Sequence, residues 1–187
     1  GIEVSSASLD NLVRSGLADF RESSWSFRHP LHTDVLESRA SDEGRHSRRH
    51  NEAACAVNEF GADGDVSDWD RDARHLVCAN RFAEALPHLG RLGGHLNDLG
   101  EFSRAEAVWR RWFEAAESEE LSAEDPARVG ALLGFAWSIG SRGDAGALED
   151  VERAEALAQK IGDEVLLADV DFTLSVALFS SDVDASD

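Results

Sequence analysis

Between Leu86 and Glu119, large and small residues alternate at intervals that suit a pair of antiparallel helices. Leu89, Leu92, Gly93 and Leu96 share one face of a first helix, and Gly100 supplies a turn. Phe102, Ala105 and Trp109 then mark one face of a second helix. Gly93 and Ala105 are small, and the spacing predicts that the two backbones cross closely at them while the large residues fill the surrounding gaps. Such a hairpin does not bury its own apolar face, so it demands stacked neighbours. That requirement points the chain toward stacked helices and away from a central sheet.

The pattern recurs. Leu132, Phe135, Ala136 and Ile139 repeat the first-helix spacing, and Gly143 repeats the turn. The partner helix runs about Ala147 to Ile161, with Leu148, Val151, Ala154, Leu157, Ala158 and Ile161 on one face. From Leu89 to Leu132 is 43 residues rather than 34, so the acidic stretch Glu117–Pro126 reads as an insertion. A third unit opens at Asp163, with Val165, Leu166, Val170, Leu174, Leu178 and Phe179, and runs into the acidic tail Asp182–Asp187. Its second helix is missing, so the array reads as truncated, ending on an uncapped helix with an apolar strip drawn from Leu166, Val170, Leu174 and Leu178. The 34-residue unit resembles the tetratricopeptide repeat, with leucines in place of both first-helix aromatics and Glu117 in place of the closing proline. Asn80, Phe82, Ala85 and Leu89 also fit the turn and second helix of an earlier, overlapping repeat. Arg81–Leu99 is therefore read as one helix with two neighbours, bent or bounded near Pro87.

Upstream of the repeats, Ser8–Gly16 reads as a short helix stopped by its glycine. Leu17–Phe20 and Trp25–Arg28 read as a hairpin turning through Arg21–Ser24, because Trp25 and Phe27 alternate with Ser26 and Arg28. His32–Ala40 follows as a helix, with Pro30 in its first turn and Val35 and Leu36 on one face. Ser41 then reads as the cap of a helix to Phe60, with Asp42 and Glu43 in its first turn and Ala53, Ala54, Val57 and Phe60 inward. Gly61–Ser67 reads as a flexible stretch, Val66–Cys78 as a helix with Trp69, Ala73, Leu76 and Val77 inward, and Asn80 as its stop. The expected fold is all-α: a tetratricopeptide-like helical array with a small N-terminal β-hairpin from a truncated winged helix. Residues 1–30 are the winged-helix tail, 31–62 linking helices and 63–187 the repeats.

Three short runs carry a further likeness. LDNLVRSGL contributes Leu12, Val13, Gly16 and Leu17; WSFRHPL contributes Phe27, His29 and Leu31; RRHNEAA contributes His50, Ala53 and Ala54 behind Arg45 or Arg49. Together with the helical repeats they resemble the region after the nucleotide site in bacterial signal-transducing ATPases of the STAND and AAA-like class. That class includes transcriptional regulators and adenylate cyclase or kinase fusions. The resemblance implies repeats that sense a ligand or partner and restrain an ATPase domain lying upstream. No G-x-x-x-x-G-K-[ST] run occurs here.

Composition narrows the partners. Acidic residues number 37 against 18 basic, for a formal charge of -19, so phosphate backbones and anionic membranes are repelled. The excess lies after residue 50, where 29 acidic face 11 basic side chains. No apolar run is long enough to span a bilayer. Gly1–Asp10 does not read as a signal peptide, and two cysteines make no disulfide framework, so a cytoplasmic setting is expected. The absence of methionine suggests a piece of a longer protein. Seventeen arginines against one lysine, Lys160, fit either a GC-rich genome or a salt-adapted surface.

Candidate chemistry is sparse. His46 and His50 share a helix face as a metal pair would, with Glu43 one turn before His46, but Arg45, Arg48 and Arg49 would repel a cation and a metal site needs three or four convergent ligands, so a structural or surface role is expected. His29 and His32 read as packing residues at the hairpin junction, Cys55 and Cys78 as small core residues. RHSRRH reads as a solvated or interdomain face. No HExxH, GxSxG or paired CxxC motif is present, so no catalytic residue, cofactor or metal ligand is assigned. Trp112, Phe113 and Arg110 form the candidate groove of the array. Trp112 and Phe113 diverge by about 100° around the helix, so only one of them is expected to line it. The expectation is a non-enzymatic regulatory or protein-binding module. Its partner would be a protein or its own ATPase domain, with a small-molecule effector or self-association through the uncapped helix as further modes. The alternative is a small metal-binding protein or enzyme fragment using histidines near residues 29–50.

Overall fold

The computed structural model describes residues 6–21, 24–42, 44–60 and 66–184. They form two compact units, Gly1–Ala62 with Cys78–Asn80 and Asp63–Val77 with Arg81–Asp187. The described residues are mostly helical, with one two-stranded antiparallel hairpin, so the fold is all-α with a small β-hairpin as the sequence indicates.

The first unit starts with helix α1 (Ser6–Arg14), ended by Gly16 at φ +72°. Strands β1 (Ala18–Arg21) and β2 (Ser24–Phe27) pair with Ala18 opposite Phe27 and Asp19 opposite Ser26. Arg28 adds a 2.8 Å ion pair to Asp19. The turn residues 22–23 lie outside the described residues. Helices α2 (Pro30–Asp42) and α3 (His46–Phe60) follow. Ser41 does not cap α3; it lies in the last turn of α2. The break comes at Gly44, whose φ of +64° lets its N–H bond the Ser41 carbonyl and the Arg45 N–H bond the Ala40 carbonyl. This pair of bonds closes a helix through a left-handed residue, which glycine adopts without steric cost. Glu43 and the predicted flexible residues 61–65 lie outside the described residues, as do the side chains of Val57 and Phe60.

The second unit holds α4 (Val66–Cys78, up to Val77), α5 (Phe82–Asp98), α6 (Phe102–Ser118), α7 (Pro126–Gly140), α8 (Gly146–Ile161) and α9 (Glu164–Asp184). α5 pairs with α6 and α7 with α8, while α6 packs on α7, α8 on α9, and α5 and α9 both reach α7. From α5 onward each helix thus meets its next neighbour, and α5 and α7 also meet the one beyond. α4 runs antiparallel to α5: Trp69 meets His95 edge-on at 5.8 Å, and further along Asp72 and His88 interact. Phe82–Asp98, with Arg81 and Leu99 as its caps, is therefore one helix that packs on α6 and meets side chains of α4, and it passes through Pro87 without ending there. The turns before α6 and α8 are equivalent: Gly100 (φ +72°) and Gly143 (φ +79°) each close the preceding helix with the bond pair seen at Gly44. The inserted loop ends at Asp125, which caps α7 by accepting the Ala127 N–H at 2.9 Å, with Pro126 at the first helical position.

The core contains Leu89, Leu92, Leu96, Ala105 and Trp109 between α5 and α6, and Val129, Leu132, Ala136, Ile139, Val151, Ala154 and Val170 between α7, α8 and α9. α9 departs from expectation: Val170 is fully buried, and Leu166 and Leu174 pack against the core. Among the described side chains of α9, the exposed large apolar ones are Val165, at 71%, and Phe172, at 65%. They stand seven apart on the face that contacts with α7 and α8 leave open. The side chains of Leu178 and Phe179 lie outside the described residues. No helix among the described residues is long and apolar enough to cross a membrane.

Candidate functional site

Among the described residues, chemistry gathers at a seam and at a buried Asp72–His88 pair in the second unit, and at a histidine–cysteine cluster in the first. In the second unit the candidate groove residues separate. Trp112 is 3% exposed and belongs to the core, with Gly90 leaving room beside its indole. Phe113 is half-buried, edge-on to Trp112 at 5.4 Å and to Phe135 of α7 at 5.9 Å. The exposed Arg110 guanidinium lies 5.3 Å from the centroid of the Phe135 ring. Arg110 and Phe113 thus meet at the seam between α6 and α7, while Trp112 faces inward. Phe135 completes the seam. It occupies the first-helix position that matches Leu92, and the repeat spacing alone marks it as a contact residue.

An acid organises the seam's polar edge. Glu106 on α6 accepts hydrogen bonds from Arg110, at 2.6 Å, and from Arg142 in the turn after α7. The Arg110 hydrogen bond, helped by Arg142, holds its carboxyl below the ordinary glutamate range, although partial burial opposes this. On the other side of the hairpin, Asp72 of α4 is 4% exposed and its Oδ1 has no hydrogen-bond partner. Burial pushes this carboxyl up, against the pull of Arg71, and burial pushes the His88 imidazole down. Asp72 was readable as an inward acid, because it stands one turn from Trp69 on the buried face of α4.

In the first unit, His29 is exposed and its Nδ1 accepts the Leu31 N–H, while His32 packs edge-on against Phe27 at 6.1 Å. His46 and His50 face each other across one turn of α3, with ring centroids 4.4 Å apart. Cys78, the last residue of α4, joins them. The donor atoms of His46, His50 and Cys78 all lie within 4.8 Å of one another. The sequence held no sign of this third residue, which lies 28 positions beyond His50 on another helix. Both imidazoles line a cavity of about 120 Å³ with Phe27, Leu36, Glu37, Ala40 and Arg49.

No protein-family model, curated protein or solved structure matches the chain.

Proposed function

We propose that this chain is a non-enzymatic helical-repeat module that engages another polypeptide, acting in the cytoplasm as the regulatory arm of a larger signal-transducing ATPase or transcriptional regulator. The likeness of its N-terminal runs to the STAND and AAA-like class supports the setting. One observation carries the binding role: α9 packs on α7 and α8 through Leu166, Val170 and Leu174, yet keeps Val165 and Phe172 open on its far face. In a stacked array that face is where the next helix packs, so a helix from a partner, from an attached ATPase domain or from a second copy fits it. The seam of Arg110, Phe113 and Phe135 offers a second, more polar contact. The net charge of -19 favours a partner segment that is basic as well as apolar.

The test is a peptide-display selection on the full chain. Enriched amphipathic peptides that lose binding to Val165→Glu and Phe172→Glu, with the helical spectrum unchanged, are the expected result. Enriched peptides indifferent to both variants, or no enrichment from a diverse library, would contradict the assignment. A chain that sediments as a dimer and becomes monomeric with Phe172→Glu would give the strip to self-association instead.

A further inference from the structure

We propose that His46, His50 and Cys78 bind a zinc-class divalent cation. The inference is independent of the repeat-module reading, since it concerns the first unit. His46 and His50 are one turn apart on α3, and their imidazoles already face each other at 4.4 Å. Cys78 is a thiol and not half of a disulfide. Its sulfur stands with one nitrogen of each imidazole inside a span of 4.8 Å. A tetrahedral zinc ion, with bonds of about 2.0–2.1 Å to nitrogen and 2.3 Å to sulfur, sets such donors roughly 3.3–3.7 Å apart. Closing the remaining gap asks for about 1 Å of side-chain movement, within the reach of small χ changes and without moving a helix.

The donor set selects the ion. Two imidazoles and a thiolate suit zinc and its cobalt surrogate, whereas magnesium and calcium require oxygen donors. On binding, the Cys78 thiol gives its proton to solvent and its sulfur lone pair to the metal; nothing is oxidised or reduced. Three protein ligands leave a fourth position, and the cavity beside the two imidazoles admits a water or small ligand to it. Two charged side chains line that cavity, and they act on a cation in opposite directions: Glu37 favours it and Arg49 opposes it. Arg49 lines the same cavity, and zinc with one thiolate and two neutral imidazoles keeps a net positive charge. Arg49 therefore opposes binding, and its removal tightens it. Proton release makes the affinity rise with pH.

The test is a titration of the full chain with cobalt(II), read by the sulfur-to-cobalt charge-transfer band in the near ultraviolet and the visible bands of a tetrahedral site. The expected result is one equivalent bound, displaced by zinc. Cys78→Ser abolishes the charge-transfer band, His46→Ala weakens binding at least about tenfold, as loss of a direct ligand should, and Arg49→Ala strengthens it at low salt. Cys55→Ser, on the exposed side of α3, leaves the band intact. A wild-type chain that shows no charge-transfer band with stoichiometric cobalt overturns the proposal whatever the variants do. So does a band that survives Cys78→Ser or disappears with Cys55→Ser.

Discussion

Gly93 of α5 lies directly under the indole of Trp109 on α6: a β-carbon built on Gly93 stands 2.6 Å from ring atom Cε2. The same indole covers Gly134 of α7, where a β-carbon would overlap Cζ2. Trp109 is thus a wedge seated on two glycines from different hairpins. The repeat spacing led to the expectation that Gly93 would meet Ala105. It faces the expected helix, and the atoms nearest to it are those of the Trp109 ring, one turn beyond Ala105. Beside Gly134, Asn97 of α5 donates to the Gly134 carbonyl at 2.8 Å, and the buried Ser138 hydroxyl lies 2.8 Å from Asn97 Oδ1. A ring on one side and a polar clasp on the other therefore fix the approach of α7 to α5 and α6.

The helical glycines should divide by sign. Gly93→Ala and Gly134→Ala each force a methyl into a buried aromatic ring and are expected to destabilise by about 1–3 kcal/mol. Gly94→Ala and Gly130→Ala sit on the same helices with nothing within 4 Å of the new β-carbon. These two should stabilise by up to about 1 kcal/mol through helix propensity. Urea unfolding of the four variants checks this; a stabilised Gly134→Ala would mean that the ring lies elsewhere.

Glu120 closes α6 with φ +56°, a left-handed conformation that Gly100 and Gly143 adopt at the ends of α5 and α7. A β-carbon in this region costs roughly 1–2 kcal/mol. Glu120→Gly relieves that strain, offset in part by the added freedom of the unfolded chain, and is expected to raise Tm. A fall in Tm would show that the side chain makes a contact worth more than the strain.

Glu106 links α6 to the turn after α7 through Arg142, and its folded carboxyl titrates below the unfolded one. The unfolded chain therefore binds the proton first as pH falls. The stability from this link is complete above the ordinary glutamate range and is lost as pH drops through the depressed value. Glu106→Gln should flatten that part of the pH–stability profile, and Arg142→Ala should flatten it less, because Arg110 still donates. Parallel profiles for wild type and Glu106→Gln would remove the link.

The hairpin, the α5–α6 and α7–α8 pairs and their turn glycines were legible because period, turn chemistry and small-residue spacing are local signals. Asn80 reads as a stop and does hold φ +59°. What was not legible depends on contacts distant in sequence. The break at Gly44 was hidden by Ser41, a good cap that here lies within the last turn of α2. Trp112 and Phe113 are adjacent, and only packing against Phe135 decides which turns outward. Gly134 carries no mark in the repeat pattern, since its partner indole belongs to another hairpin. Cys78 meets His46 and His50 only after the intervening chain has folded back.

Hydrogen exchange on Gly134→Ala tests most directly whether the helices form one continuous array with Trp109 as the joint between hairpins. The substitution lies on α7, but the displaced ring belongs to α6 and rests on α5. In a nearest-neighbour stack, a loosened interface lowers the protection of both units that share it. The expected result is faster exchange in the Leu86–Leu96 and Ala105–Trp112 segments, comparable with that in Leu132–Ile139. Faster exchange confined to α7 and α8, with α5 and α6 as protected as in the wild type, would contradict a continuous array.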